Sequence, residues 1–283
     1  MSGKFYVLGP VKYLTEDSTA LKRYLRKAVA QGEIPNPVAL LLDWSESALG
    51  LGFNQRDGVN DGDFKVTRST RGGSAYWKDR DRGLSANIFQ KSNDIRDLNT
   101  MYDFLCRLSI DAVGQIANPN SLQLHSRYML FPKPEGYRGC FDGFDISYDG
   151  TTFGTIATSR TTFGENGNRT SCVTGHMCLR TRDPEHKKML KSMSGYDSQQ
   201  DLEAAKQFVT SLDSAGIRTS PQDLGKLIKE NLQEPEELEP EWLRVEPNGH
   251  KEPNGGKFSF GLCGLERGDV HGVRKEPFKV ARH

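Results

Sequence analysis

The stretch Arg68-Ser69-Thr70-Arg71-Gly72-Gly73-Ser74-Ala75-Tyr76-Trp77-Lys78-Asp79-Arg80-Asp81-Arg82-Gly83-Leu84 decides how this chain is read. Two adjacent glycines let backbone N–H groups approach an anion closely, because no Cβ stands in the way. Arg68 and Arg71 flank them with positive charge, which suits a carboxylate, an acyl phosphate or a nucleotide phosphate. The same composition also describes a glycine-rich surface turn with solvated charges, and a glycine pair alone does not decide between them. The segments on either side do.

Upstream, Leu21, Tyr24, Leu25, Ala28 and Val29 recur at helical spacing and predict a helix over 16–31, closed by Gly32. Val38-Ala39-Leu40-Leu41-Leu42 is a short continuous apolar run, the pattern of a buried strand, with Ala48 to Phe53 as its expected partner. Downstream, Ile95, Leu98, Tyr102, Leu105 and Leu108 mark a second helix, and Leu122 to Phe131 is expected to be extended. Phe144 to Tyr148 and Thr151 to Ala157 flank Asp149-Gly150, a strong hairpin signal. Cys172 to Thr181 predicts another strand, and Asp183-Pro184 the start of a helix. Leu202 to Gly216 reads as an amphipathic helix, and Ser220-Pro221 opens a short one running to about Leu232.

In this setting the glycine stretch resembles the signature of lipoate–protein ligases and octanoyltransferases, in which an arginine precedes glycines, then an aspartate, a glycine and a leucine. Arg68 matches the leading arginine, Gly72-Gly73-Ser74 the glycines, and Asp81-Arg82-Gly83-Leu84 the closing part. Trp44 through Gln55 is similar to the family's first strand pair. Phe144-Asp145-Ile146 through Gly154-Thr155-Ile156-Ala157 resembles its aspartate-bearing hairpin, and His176 falls where the family has a histidine. The resemblance spans residues 38–181 in the family's order.

The resemblance implies substrate-binding roles for Arg68, Arg71, Gly72, Gly73, Ser74, Lys78, Asp81, Asp145, Gly154 and His176. It also exposes a departure. The family keeps a lysine three residues before the hairpin glycine, where its ammonium stabilises negative charge on the acyl carbonyl or phosphate; here that position is Thr151. Ser69 and Ser74 replace two further family residues. Loss of one such donor typically costs about 2.7–4 kcal/mol of transition-state stabilisation. No lysine lies between Lys133 and Lys187, so a replacement must come from a distant segment, with Lys78 of the glycine stretch as the candidate. Cys140, followed by Phe141, stands where the cysteine-dependent branch of the family has its nucleophile, and a thiolate there would carry the acyl group as a thioester. A buried structural cysteine fits the same position.

Composition sets the outer limits. The 283 residues carry a formal charge of +1, which provides no general field for nucleic acid or anionic membranes. The first ten residues have too short an apolar run for a signal peptide, and no stretch approaches the length of a membrane span. The five cysteines include no CxxC pair and are expected to be free thiols in the cytoplasm; Cys172, His176 and Cys178 are too irregular for a zinc site, so no metal site is expected.

The expectation is therefore an α+β fold, with a mixed β-sheet flanked by helices. Residues 1–232 form the catalytic domain, and 233–283 a linker and small accessory segment. Two functions remain open. One is transfer of a lipoyl or octanoyl group to a lysine of a lipoyl-carrier domain, through an adenylate made from ATP with Mg2+ or through a Cys140 thioester. The other is a catalytically reduced relative that binds an acyl cofactor, a nucleotide or a protein partner without turnover.

Overall fold

The computed structural model describes residues 4–13, 15–51, 65–68, 76–94, 96–126, 144–164, 169–183, 210–232 and 234–237. Contacts divide the chain into two units, Met1–Leu238 and Glu239–His283, and every described residue belongs to the first. The expected terminal hairpins lie outside the described residues.

The strands are β1 (Tyr6–Tyr13), β2 (Val38–Trp44), β3 (Ala48–Leu51), β4 (Lys65–Arg68), β5 (Tyr76–Lys78), β6 (Gly83–Ser92), β7 (Leu122–Ser126), β8 (Phe144–Tyr148), β9 (Thr151–Phe163), β10 (Thr170–Arg180) and β11 (Glu236–Glu237). The helices are α1 (Thr15–Gln31), α2 (Asp97–Gly114) and α3 (Pro221–Glu230). One sheet runs β11-β1-β2-β6-β10-β9-β8-β7 and a smaller one β4-β3-β5. In the large sheet β1 pairs parallel with β11 and β2, and the remaining pairs are antiparallel. This is the mixed α+β architecture that the pattern of elements predicts. No helix among the described residues is long and apolar enough to cross a membrane.

The large sheet is covered on both faces, and the faces differ in chemistry. Leu84, Ala86 and Ile88 of β6 and Val173, Met177 and Leu179 of β10 join α2's Met101 and Leu105 and α3's Leu224 and Ile228 in one apolar core. A Cβ on Gly175 would lie 2.6 Å from both Leu105 Cδ1 and Met101 Sδ, so only glycine lets α2 sit this close to β10. The alternate residues of β6 and β10 point the other way, toward α1. On α1, Leu21, Leu25, Ala28 and Val29 are fully buried, as their spacing predicts. All seven residues of β2 are buried, which explains its continuous apolar run.

The Asp149-Gly150 turn joins β8 to β9 with φ of 45° and 80°, the two left-handed residues that a two-residue hairpin requires. Three expectations change. β3 pairs with β4 and β5 rather than with β2, because the β5–β6 turn takes the end of β2: Asp81 N–H donates to Trp44 O at 2.8 Å and Arg80 Nε to Ser45 O at 2.9 Å. Leu212 to Gly216 forms turns, not a helix end. There the N–H of Leu212 goes to Arg180 O at 3.0 Å, and the hydroxyls of Ser211 and Ser214 both reach Asp183. β1 was not foreseen; Gly9-Pro10 interrupts its apolar pattern, and its pairing with β2 shifts register between Leu8 and Val11.

Candidate functional site

The α1 side of the central strands is polar where a core would ordinarily be apolar. Register places Leu42, Ser85, Cys178, Thr155 and Asp145 in one row across β2, β6, β10, β9 and β8. The next row holds Leu40, Asn87, His176 and Ala157. Ser85 and Asp145 are fully buried and Asn87 is 2% exposed. Residues directly opposite across antiparallel strands share a face, so these six polar side chains form one floor.

Part of the floor is a hydrogen-bonded chain. Trp44 Nε1 donates to Ser85 Oγ at 2.8 Å; Ser85 Oγ lies 3.3 Å from Cys178 Sγ, and Cys178 Sγ 3.2 Å from His176 Nε2. The indole has no acceptor capacity, so its direction is fixed, while the serine, thiol and imidazole adapt to it. A thiol in contact with an imidazole is the pairing from which nucleophilic cysteines are activated.

The roof is α1, which carries a second stripe besides its apolar one. Ser18, Lys22 and Arg26 are spaced by four and lie on one line along the helix. Lys22 is 9% exposed, and it makes no hydrogen bond or ion pair among the described residues. Burial pushes its ammonium well below the ordinary lysine value; the nearby charges of Lys78 and Arg26 push the same way, and Cys178 opposes them. Lys78, on β5, is itself 5% exposed. The strand that follows the glycine stretch thus brings a second buried cation within electrostatic reach of Lys22. On the floor, Asn87 Nδ2 is buried without a hydrogen-bond acceptor.

Compared by sequence, the chain matches no protein-family model and no curated protein. Compared by structure, it is similar to a bi-partite lipoate protein ligase from Thermoplasma acidophilum, studied with its E2 lipoyl domain. That likeness has a TM-score of 0.53 at 10% identity and covers 81% of each chain. The chain has the catalytic fold of the lipoate–protein ligases. A lipoate-protein ligase A bound with ATP (TM-score 0.43, 13% identity, 81% of this chain and 94% of that one) is also similar. So is LipL1 of P. falciparum in complex with lipoate (TM-score 0.39, 14% identity, 85% and 70%). The fold assignment rests on the first of the three.

Within this lipoate ligase fold, the residues singled out from sequence fall in several places. Asp145 and His176 lie on the polar floor, and Lys78 is buried close to Lys22. Gly154 lies beside the floor with its missing side chain turned to the apolar core; a Cβ there would meet Leu179 Cδ2 at 2.6 Å and Ile146 Cδ1 at 3.0 Å. Thr151 opens β9 opposite Tyr148, half-buried, four positions from Thr155. Arg68 ends β4 opposite Leu51. Asp81 is exposed in the β5–β6 turn and accepts from Lys12 Nζ at 2.6 Å. Arg71, Gly72, Gly73, Ser74 and Cys140 lie outside the described residues.

Lys22, Asn87 and Cys178 were not singled out from sequence as members of the acyl site. Two signals pointed to them: polar residues four apart beside an apolar helix stripe, and His176 and Cys178 two apart on a strand, hence on one face. Among the described residues no three His, Cys, Asp or Glu side chains gather as a metal site. A separate cleft of about 530 Å³ lies by the start of α3, lined by Thr181, Arg182, Asp213, Arg218, Thr219 and Ser220. There Ser220 already caps its own helix through Asp223 N–H at 3.0 Å, so the helix start is partly satisfied.

Proposed function

We propose that this protein attaches a lipoyl or octanoyl group to a lysine of a lipoyl-carrier domain. The observation that supports this most is the polar floor of Ser85, Asn87, His176, Cys178, Thr155 and Asp145, set in a sheet whose fold is shared with a lipoate protein ligase. Trp44, Ser85, Cys178 and His176 answer one another, while Asn87 Nδ2 is buried without an acceptor, a place that a carboxylate or phosphate oxygen of an acyl head group would fill.

In this proposal, the doubled glycine Gly72-Gly73 with Arg68, Arg71 and Ser74 cradles the activated head, and Lys78 and His176 donate to it from the buried side. Asp145 and Gly154 hold the hairpin in place, and Asp81 orders the turn that follows the glycine stretch. A ligase route consumes lipoate and ATP with Mg2+; a transferase route passes the acyl group through Cys140. Thr151 favours a second reading. Without the hairpin lysine, the site would retain the acyl ligand yet turn it over slowly or not at all.

Intact-mass measurement of a lipoyl-carrier domain separates these. Incubation with the protein, lipoate and ATP is expected to add one lipoyl group; incubation with octanoyl-carrier protein tests the transferase route. Transfer that persists in Cys140→Ala sets the thioester aside. Binding of lipoate with no modified carrier under either condition would establish the non-catalytic reading. Absence of both binding and transfer would end the proposal.

A further inference from the structure

We propose that Lys22 on α1 and Asn87 on β6 form an oxyanion site between helix and sheet, which grips the carboxylate end of the acyl substrate. This deepens the function proposed above, and rests on it for the identity of the acyl chain.

Two donors on facing elements, Lys22 and Asn87, lack a hydrogen-bond acceptor among the described residues. Lys22 is more than nine-tenths buried and makes no hydrogen bond or ion pair among the described residues. Asn87 Nδ2 is buried and finds no acceptor. Asn87 lies on the face of β6 that α1 covers, diagonally across from Cys178 on β10, and α1 packs over both strands, so the helix donor and the sheet donor border the same layer. Natural cores pair such groups almost without exception, because a buried donor left alone pays its full desolvation cost. A carboxylate supplies two oxygens, one for the ammonium and one for the amide.

Position adds to this. The groups that act on Lys22 are Arg26 on its own helix, Lys78 on β5 and Cys178 on β10, and the floor under α1 also holds His176 and the buried carboxylate of Asp145. Two of the three groups that act on Lys22 are cations, each with interactions of its own, so like charge gathers around the ammonium.

Calorimetric titration of the full-length protein with lipoate, and with lipoamide as the uncharged counterpart, tests the site. Lys22→Met is expected to weaken lipoate binding about 10- to 100-fold, the worth of a hydrogen bond to a charged group, and to leave lipoamide nearly unchanged. Asn87→Ala is expected to weaken lipoate several-fold, and Lys22→Gln is a second test that keeps a donor without the charge. Equal binding of lipoate by wild type and Lys22→Met overturns the site while leaving the transfer function standing. Equal losses for lipoate and lipoamide also overturn it, since they signal a packing role. If wild type binds neither lipoyl compound, the ligase route of the proposed function fails, and inorganic phosphate then judges the site alone. Phosphate that raises the unfolding temperature of wild type but not of Lys22→Met supports an anion site; no difference between them removes it.

Discussion

Lys12 and Lys22 stand ten residues apart, at the end of β1 and in the middle of α1, and the fold treats their charges in opposite ways. Lys12 is half exposed and sits between two carboxylates, with Nζ 2.6 Å from Asp81 Oδ1 and 3.6 Å from Asp43 Oδ2. The hydrogen bond to Asp81, reinforced by Asp43, raises its pKa above the ordinary lysine value. Asp43 is nearly buried; burial pushes its carboxyl upward, while Lys12 and the amide of Gln222 hold it down. Around Lys12, each charge meets its opposite. Around Lys22, burial removes water and the neighbouring charges are mostly of the same sign. A structural lysine looks like the first. Groups perturbed in the second way cluster at functional sites.

The largest test of this contrast is to make one substitution at both places. Lys22→Met is expected to stabilise the free protein by about 1–3 kcal/mol, because methionine fills similar space without an unanswered charge. Urea unfolding near neutral pH measures it, and a net loss of stability would mean that the ammonium has a partner. Lys12→Met is expected to move the other way, by only about 0.2–1 kcal/mol, since its ion pairs are exposed to solvent.

Between these in size is a pH effect. The folded-state pKa of Lys22 lies below its unfolded value, so above that depressed value the unfolded chain holds the extra proton. Stability contributed at this site therefore rises with pH through that window, up to about 10.4, where the unfolded lysine titrates. The advantage of Lys22→Met over wild type should shrink as pH climbs from neutral toward that point. A constant difference would show that Lys22 does not change protonation on unfolding.

The smallest effect contrasts the two faces of the sheet through a thiol. Cys106, on α2, is half-buried, and burial pushes its pKa up to about 11, with Asp103 adding to the shift. It is expected to resist alkylation at pH 8 and to react as pH passes that value, as peptide mapping after brief labelling would show.

What was legible in the sequence followed from local periodicity and local chemistry. The stripe of Leu21, Leu25, Ala28 and Val29 announced α1, the unbroken run at Val38 announced a doubly covered strand, and Asp149-Gly150 announced its own turn type. Partnership was harder to see. Nothing in Ala48 to Leu51 says that it leaves β2 for a second sheet; the carbonyls of Trp44 and Ser45, claimed by Asp81 and Arg80 from a distant turn, determine that. The site divides in the same way. Asp145 and His176 were expected from a resemblance carried by neighbouring residues, and both lie on the polar floor. Lys22 escaped notice because a lysine on an amphipathic helix is ordinarily a solvated residue, and only tertiary packing turns it inward.

The order of strands has one practical consequence. Among the described residues β1 is held on its outer side by two, Glu236 and Glu237, with Glu236 N–H donating to Phe5 O at 2.8 Å and its carboxylate paired with Lys4. A shortened gene that stops after Leu232 would remove this selvage and bare a row of backbone groups at the sheet's margin. Two such molecules could then stitch together along that margin, so shortened versions intended for ligand work should keep residues through at least Glu237.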